Sequence, residues 1–157
     1  MDDFSLPGQK SFFGYGAAPR NFIAPGKRPM SSMSPLIVYN KQSKKLVAAV
    51  SASGGPKIIS AVAQVLAQTL LFNQTIKEAI DMPRLHNQLS PPAMNTCYEE
   101  AFPSALVEQL AEIHGHNVTV MEFPFATVQA IVRDGRDDFL TANSDYRRPI
   151  YMYPTGY

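Results

Sequence analysis

A chain of 157 residues, 45% hydrophobic and 17% charged, is long enough for one domain with its own core and too apolar for intrinsic disorder. Fourteen Lys and Arg against thirteen Asp and Glu leave a net charge of +1, so nucleic acid and anionic membrane surfaces have no electrostatic hold on it. The one cysteine, Cys97, excludes an internal disulfide and a cysteine-built zinc cage, and no apolar run approaches the roughly 20 residues of a membrane helix.

The opening Met1-Asp2-Asp3-Phe4-Ser5 has neither the basic nor the apolar region of a secretory signal, so no targeting segment is read there. Residues 1–35 read as an ordered, irregular arm. Pro7-Gly8, Gly14, Gly16, Pro19, Pro25-Gly26, Pro29 and Pro35 interrupt any helix or long strand, and Phe4, Phe12, Phe13, Tyr15 and Phe22 are available to pack it down. Residues 36–157 carry the regular signals. Leu36-Ile37-Val38-Tyr39 and residues 46–50, joined by the polar turn 40–45, predict a β-hairpin. Neither run alternates cleanly, which predicts strands covered on both faces.

Ser51-Ala52-Ser53-Gly54-Gly55-Pro56 breaks the second strand. Ile58, Ile59, Val62, Val65, Leu66 and Leu70 then carry a helical stripe, with Pro56 expected at the first helical position. A shorter helix is predicted over 75–80, a loop over 84–95, and a third helix opened by Pro103 with Leu106, Val107, Leu110 and Ile113 as core positions and Gly115 as its cap. Three strands follow, at 118–120, 127–133 and 140–143, the last two joined by the turn 134–137, and 149–157 reads as irregular. Strands and helices do not alternate along the chain. The order fits an α/β layered domain of antiparallel strands with helices on a face, and not a doubly wound parallel sheet.

The chemistry concentrates at turns. Two glycines at Ser53-Gly54-Gly55-Pro56-Lys57 allow a sharp turn and close approach to a ligand, and the following helix N-terminus favours negative charge. The same tripeptide is also an ordinary turn, and it lacks the glycine spacing of nucleotide-phosphate loops. Lys27-Arg28-Pro29-Met30-Ser31-Ser32-Met33-Ser34-Pro35 places several hydroxyls beside two cations, suited to a carboxylate, although serines before proline are common turn residues. Asp2 and Asp3 suit an ammonium or simply solvent. His114 and His116 flank a helix end, where they complement the dipole, and His86 is remote in sequence, so no metal set is read. Cys97 has no basic sequence neighbour to make it a nucleophile. Asn73-Gln74-Thr75 and Asn117-Val118-Thr119 are N-glycosylation patterns.

Taken together, these segments carry a specific likeness. Met1-Asp2-Asp3-Phe4-Ser5, Pro25-Gly26-Lys27-Arg28-Pro29-Met30-Ser31-Ser32-Met33, Ser53-Gly54-Gly55, Pro83-Arg84-Leu85-His86-Asn87-Gln88 and the terminal Thr155-Gly156-Tyr157 resemble, in that order, the small subunit of γ-glutamyltransferase, also called glutathione hydrolase. The resemblance implies an N-terminal-nucleophile hydrolase αββα sandwich, incomplete in this chain, with 1–157 a partial small-subunit domain. It implies cleavage of the γ-glutamyl amide of glutathione and transfer of the glutamyl group to water or an amino acid or peptide. Asp3 would bind the α-ammonium, Ser31 and Ser32 the α-carboxylate, and Gly54 and Gly55 the oxyanion. No cofactor and no metal are implied. The partners implied are γ-glutamyl compounds and the large subunit, whose anchor would hold the enzyme at the outer face of the plasma membrane.

The likeness departs at three points. The family's nucleophilic threonine and the glutamate of its pocket lie upstream of the Asp-Asp-Phe stretch, and Met1 replaces neither. The large subunit, with its carboxylate-binding arginine, is absent. Pro56 stands where relatives carry a small hydroxyl residue. The chain alone is therefore expected to be inactive, and the alternative reading is a non-catalytic light-chain-like protein that acts by binding or pairing.

Overall fold

The computed structural model describes residues 2–89, 96–121, 125–133 and 138–148. The expected turn at 134–137, the Pro91-Pro92 part of the loop and the irregular end at 149–157 lie outside the described residues. Seven strands and three α-helices occur among the described ones. They are β1 (Leu36–Tyr39), β2 (Leu46–Ser53), α1 (Lys57–Leu70), α2 (Ile76–Asp81), β3 (Leu85–His86), β4 (Thr96–Tyr98), α3 (Ser104–Glu112), β5 (Val118–Val120), β6 (Thr127–Arg133) and β7 (Leu140–Ser144). Before β1 the arm holds a single 3-10 turn, Pro19–Asn21, as its proline and glycine content predicts.

The main sheet runs β1-β2-β6-β7, antiparallel throughout. Ala48, Val50 and Ala52 pair with Val132, Ala130 and Val128, so the pleat aims all six to one side, where α1 and α2 lie. The helix stripe answers it. Ile58, Ala61, Val62 and Val65 fall at i, i+3, i+4 and i+7 of α1, and Ile76, Ala79 and Ile80 add α2 to one apolar cluster. Alanines on the sheet face give the helix close approach, and at about 25 cal/mol per Å² this burial is the main term holding the layers together.

Among the described residues the opposite face is not covered, contrary to the reading of the strands as buried on both faces. Ile37 is 73% exposed and Ile131 41% exposed on that side. The apolar runs without alternation thus overstated the cover: the outward positions of β2 are Val47, Ala49, Ser51 and Ser53.

The loop expected over 84–95 is also corrected at its start. Leu85 and His86 form β3, which pairs antiparallel with β4, and β4 pairs parallel with β5, so the second sheet is mixed rather than antiparallel. These strands of two and three residues are too short to leave a periodic signal. Pro56 is the N-cap of α1 and not its first helical residue. Thr75 caps α2 in a reciprocal box with Glu78, whose carboxyl these bonds hold below its ordinary range. Of the four core positions expected on α3, Val107 is buried, whereas Leu106 and Ile113 are 46% and 71% exposed. No helix among the described residues is long and apolar enough to cross a membrane.

Candidate functional site

The arm folds by closing loops on itself. Ser5 is 1% exposed; its hydroxyl donates to the Ala18 carbonyl at 3.0 Å and accepts from the Ala18 N–H at 2.9 Å, joining the two ends of a fourteen-residue loop. Inside it, Ser11 N–H donates to the Tyr15 carbonyl at 2.9 Å and Tyr15 N–H donates to Ser11 Oγ at 3.2 Å. The aromatic rings fill the loop, Phe4 lying 5.1 Å from Phe13 and 5.9 Å from Tyr15 between centroids. These closures supply the order that regular secondary structure does not.

A cleft of about 340 Å³ opens beside this loop, lined by Asp3, Phe4, Phe13, Ser31, Ser32 and Gly55 among others. One carboxylate, two hydroxyls and a glycine turn, separated by up to 52 positions in sequence, therefore meet around one space. Ser31 Oγ accepts from the Met33 N–H at 3.1 Å, which leaves its O–H to donate outward. Ser32 is half-buried, and its carbonyl accepts from Ser34 Oγ at 3.1 Å, a local turn that fixes the serine pair.

Gly54 does not line this cleft; it supports the turn from behind. Its φ of +141° and the +62° of Gly55 lie in the region that favours glycine. A Cβ on Gly54 would sit 2.6 Å from Ala126 Cα, and one on Gly55 would sit 2.4 Å from the Phe13 ring. The turn is thus pressed between strand β6's entry on one side and the arm's aromatic wall on the other. It feeds the N-terminus of α1, whose first turn contains no acidic residue, so the positive end of the helix dipole is not offset locally.

Beneath Gly54 lies an ionic cluster that sequence reasoning did not single out. Arg84 is 1% exposed; it donates to the Ala126 carbonyl at 2.8 Å and to Asp145 Oδ2. Asp145 also accepts from the Val128 and Arg147 backbone N–H groups and from Arg147 Nη1. Arg147 reaches on to both Glu99 oxygens and to the carbonyls of Ile80 and Met82. Burial pulls the Arg84 guanidinium below its ordinary range against the opposing pull of Asp145. For Arg147, burial is outweighed by Glu99 and Asp145, which hold it above. Asp145 and Arg147 carry no motif spacing, so only the fold reveals them; Arg84 stood in the family-like Pro83-Arg84-Leu85 stretch without a role.

A second polar line leaves the same segment. His86 Nδ1 lies 2.8 Å from Ser60 Oγ and its Nε2 lies 2.9 Å from Gln88 Oε1, while Gln88 Nε2 donates to Tyr15 Oη at 2.6 Å. Burial keeps the His86 ring below its ordinary pKa. The other histidines are apart from it: His116 Nδ1 meets Thr96 Oγ1 at 2.7 Å, and His114 is exposed. Among the described residues no group of three His, Cys, Asp or Glu side chains converges on a metal position. Cys97 is half-buried in β4.

Comparison with known proteins follows the same outline. Residues 1–154 match the family model described as gamma-glutamyltranspeptidase. Scoloptoxin SSD14 of Scolopendra dehaani is 43% identical over 94% of this chain and 25% of its own length. Glutathione hydrolase proenzyme 1 of Schizosaccharomyces pombe is 36% identical over 85% of this chain and 21% of its own. The crystal structure of a mutant gamma-glutamyltranspeptidase from Helicobacter pylori superposes with a TM-score of 0.79 at 31% identity, covering 94% of this chain and 78% of that one. The chain spans about a quarter of the length of the curated relatives named here.

Proposed function

Because the chain belongs to the gamma-glutamyltranspeptidase family and has its mixed α/β fold, we propose that the cleft at Asp3, Ser31, Ser32 and Gly55 receives the γ-glutamyl group of glutathione or a related amide. The observation that carries the reading is the meeting, in one space, of an anion for the ammonium, hydroxyl donors for the carboxylate, and a glycine turn for developing negative charge.

In this reading the substrate's α-ammonium pairs with Asp3, and its α-carboxylate accepts from Ser31 and Ser32. The γ-carbonyl carbon is then held beside the Gly54-Gly55 turn. A hydroxyl from polypeptide outside this sequence, a threonine by the family resemblance, attacks that carbon and passes its proton to a base. The carbonyl oxygen becomes an oxyanion, stabilised by backbone N–H groups of the glycine turn and by the adjoining positive end of α1. Collapse of the tetrahedral species expels the amine, which takes the proton, and leaves a glutamyl ester. Water or an acceptor amine then cleaves the ester by the same steps in reverse order. Removing one oxyanion donor in such sites costs about 100- to 1000-fold in rate.

This chain then supplies pocket walls of a partial small-subunit domain, with the nucleophile expected on small-subunit sequence preceding the Asp-Asp-Phe stretch and the remaining walls on a large subunit. The purified chain is expected to release no chromophore from a γ-glutamyl anilide, whereas the chain assembled with the missing polypeptide is expected to turn it over. Turnover by the chain alone would sink the assignment of the nucleophile. An assembled enzyme whose KM is unmoved by Asp3→Asn would sink the assignment of the ammonium site. Placement at the outer cell surface through the large subunit belongs to the same proposal.

A further inference from the structure

The cleft's aromatic wall is carried by a segment with almost no regular structure, yet it must hold Asp3 and Phe4 steady for the cleft to keep its shape. The Ser5–Ala18 and Ser11–Tyr15 closures are internal to the arm and fix its shape without fixing its place. Tyr15 carries the link across. Its phenol oxygen accepts from Gln88 Nε2 at 2.6 Å, its ring stacks on Phe4 at 5.9 Å, and Phe4 and Phe13 both line the cleft.

Behind Gln88 the link is braced. His86 is 5% exposed, and its two ring nitrogens are spanned by Ser60 of α1 and by Gln88. Since burial favours the neutral ring, one nitrogen donates and the other accepts. Nε2 lies 2.9 Å from Gln88 Oε1 and Nδ1 lies 2.8 Å from Ser60 Oγ, whose own hydroxyl donates to the Lys57 carbonyl at 3.1 Å. Hydrogen-bond contacts thus connect α1 through His86 and Gln88 to Tyr15. The edge of the His86 ring also meets buried Phe125, 6.3 Å away between centroids, so the ring has little freedom to turn.

We propose that Gln88 and Tyr15 are positioning residues: they clasp the arm to the body through His86 and Ser60, and so set the cleft's aromatic wall and the place of Asp3. They touch no reacting atom in the proposed chemistry. Their effect on catalysis rests on the γ-glutamyl reading, whereas their effect on the arm does not.

The test uses Tyr15→Phe, Gln88→Leu and the pair together in the assembled enzyme, with Gln88→Glu as a partial rescue, because one of its carboxylate oxygens can accept from the Tyr15 hydroxyl. Hydrogen exchange of the amides of residues 3–15 reads the clasp directly. Each single variant is expected to speed that exchange about 2- to 10-fold, the span of one net hydrogen bond. The pair is expected to be no faster than the slower-closing single variant, since both remove one link. In turnover of a γ-glutamyl anilide, KM is expected to rise by a similar factor with kcat held within about twofold, the mark of lost binding geometry.

Unchanged exchange in Tyr15→Phe, which keeps the ring and its stacking on Phe4, would overturn the clasp. So would single effects that multiply in the pair, or a fall in kcat at constant KM. An assembled wild-type enzyme that cleaves no γ-glutamyl substrate would instead refute the function, and the exchange result would still decide the clasp.

Discussion

Replacing Asp145 with Asn tests how much the buried ionic cluster beneath the glycine turn contributes to stability. The side chain is fully buried; its Oδ2 accepts from Arg84 Nη2 and from Val128 N–H at 2.9 Å, and its Oδ1 accepts from Arg147 N–H and Nη1 at 3.0 and 3.1 Å. Asparagine has the same shape but turns one oxygen into an NH₂ group, which must then face two donors, and it leaves two guanidinium groups with Glu99 as the remaining carboxylate. Removing one partner of a buried ion pair typically costs about 3–5 kcal/mol, because the other charge stays desolvated. Against the roughly 5–15 kcal/mol that a domain has in total, this is a fifth or more. For a chain of this size it corresponds to a fall in Tm of about 6–20 °C.

The assay is urea unfolding followed by circular dichroism, with Asp138→Asn alongside. Asp138 also pairs with Lys45 and Arg133, but its side chain is 54% exposed, and its loss is expected to leave the midpoint unmoved. A loss below about 1 kcal/mol for Asp145→Asn would refute the reasoning, since it would mean that water already reaches Arg84 and Arg147.

Gly54→Ala places a methyl 2.6 Å from Ala126 Cα at a φ of +141°, so the turn must shift; activity of the assembled enzyme is expected to fall at least 100-fold, and wild-type kinetics would remove the turn from the mechanism. Thr75→Ala removes the N-cap of α2 and is expected to cost about 1 kcal/mol in urea unfolding, with Thr75→Ser restoring most of it. The depressed pKa of buried His86 means that the unfolded chain binds the proton more readily, so stability from this group is present above the unfolded value of about 6.5 and is lost as pH falls below it. Midpoints measured between pH 7.5 and 5 are expected to fall less steeply in His86→Gln than in the wild type, and parallel profiles would refute the assignment.

Most of the frame was legible because it is periodic. The α1 stripe, the runs of β1, β2 and β6, and the Thr75-to-Glu78 cap each repeat a spacing that backbone geometry imposes. The glycine doublet and the serine pair were legible as chemistry, since few residue types satisfy a positive φ or a hydroxyl cluster. What escaped was long-range. Strands of two or three residues have no period, and Asp145 and Arg147 acquire meaning only when β7 brings them to Arg84 and Glu99. Gln88 lies in the loop as expected, and its role escaped because Tyr15, its partner, is 73 positions away.

The two walls of the cleft rest on separate supports that begin in one short stretch. Along an extended chain, alternate residues point the same way. Arg84 reaches the Ala126 carbonyl under Gly54, whereas His86 and Gln88 reach Ser60 and Tyr15. Leu85 meanwhile spends its backbone N–H and C=O on Gln64 of α1, which anchors the stretch to the main core. The geometry therefore separates two failures that a single damaged pocket would merge. Loss at Gln88 loosens the wall that carries Asp3 and should appear in KM. Arg84→Met keeps much of the stem but frees Ala126, and should appear in kcat through the glycine turn. If both substitutions moved the same parameter, the walls would be one mechanical unit, and the division of head-group binding from oxyanion support would have to be given up.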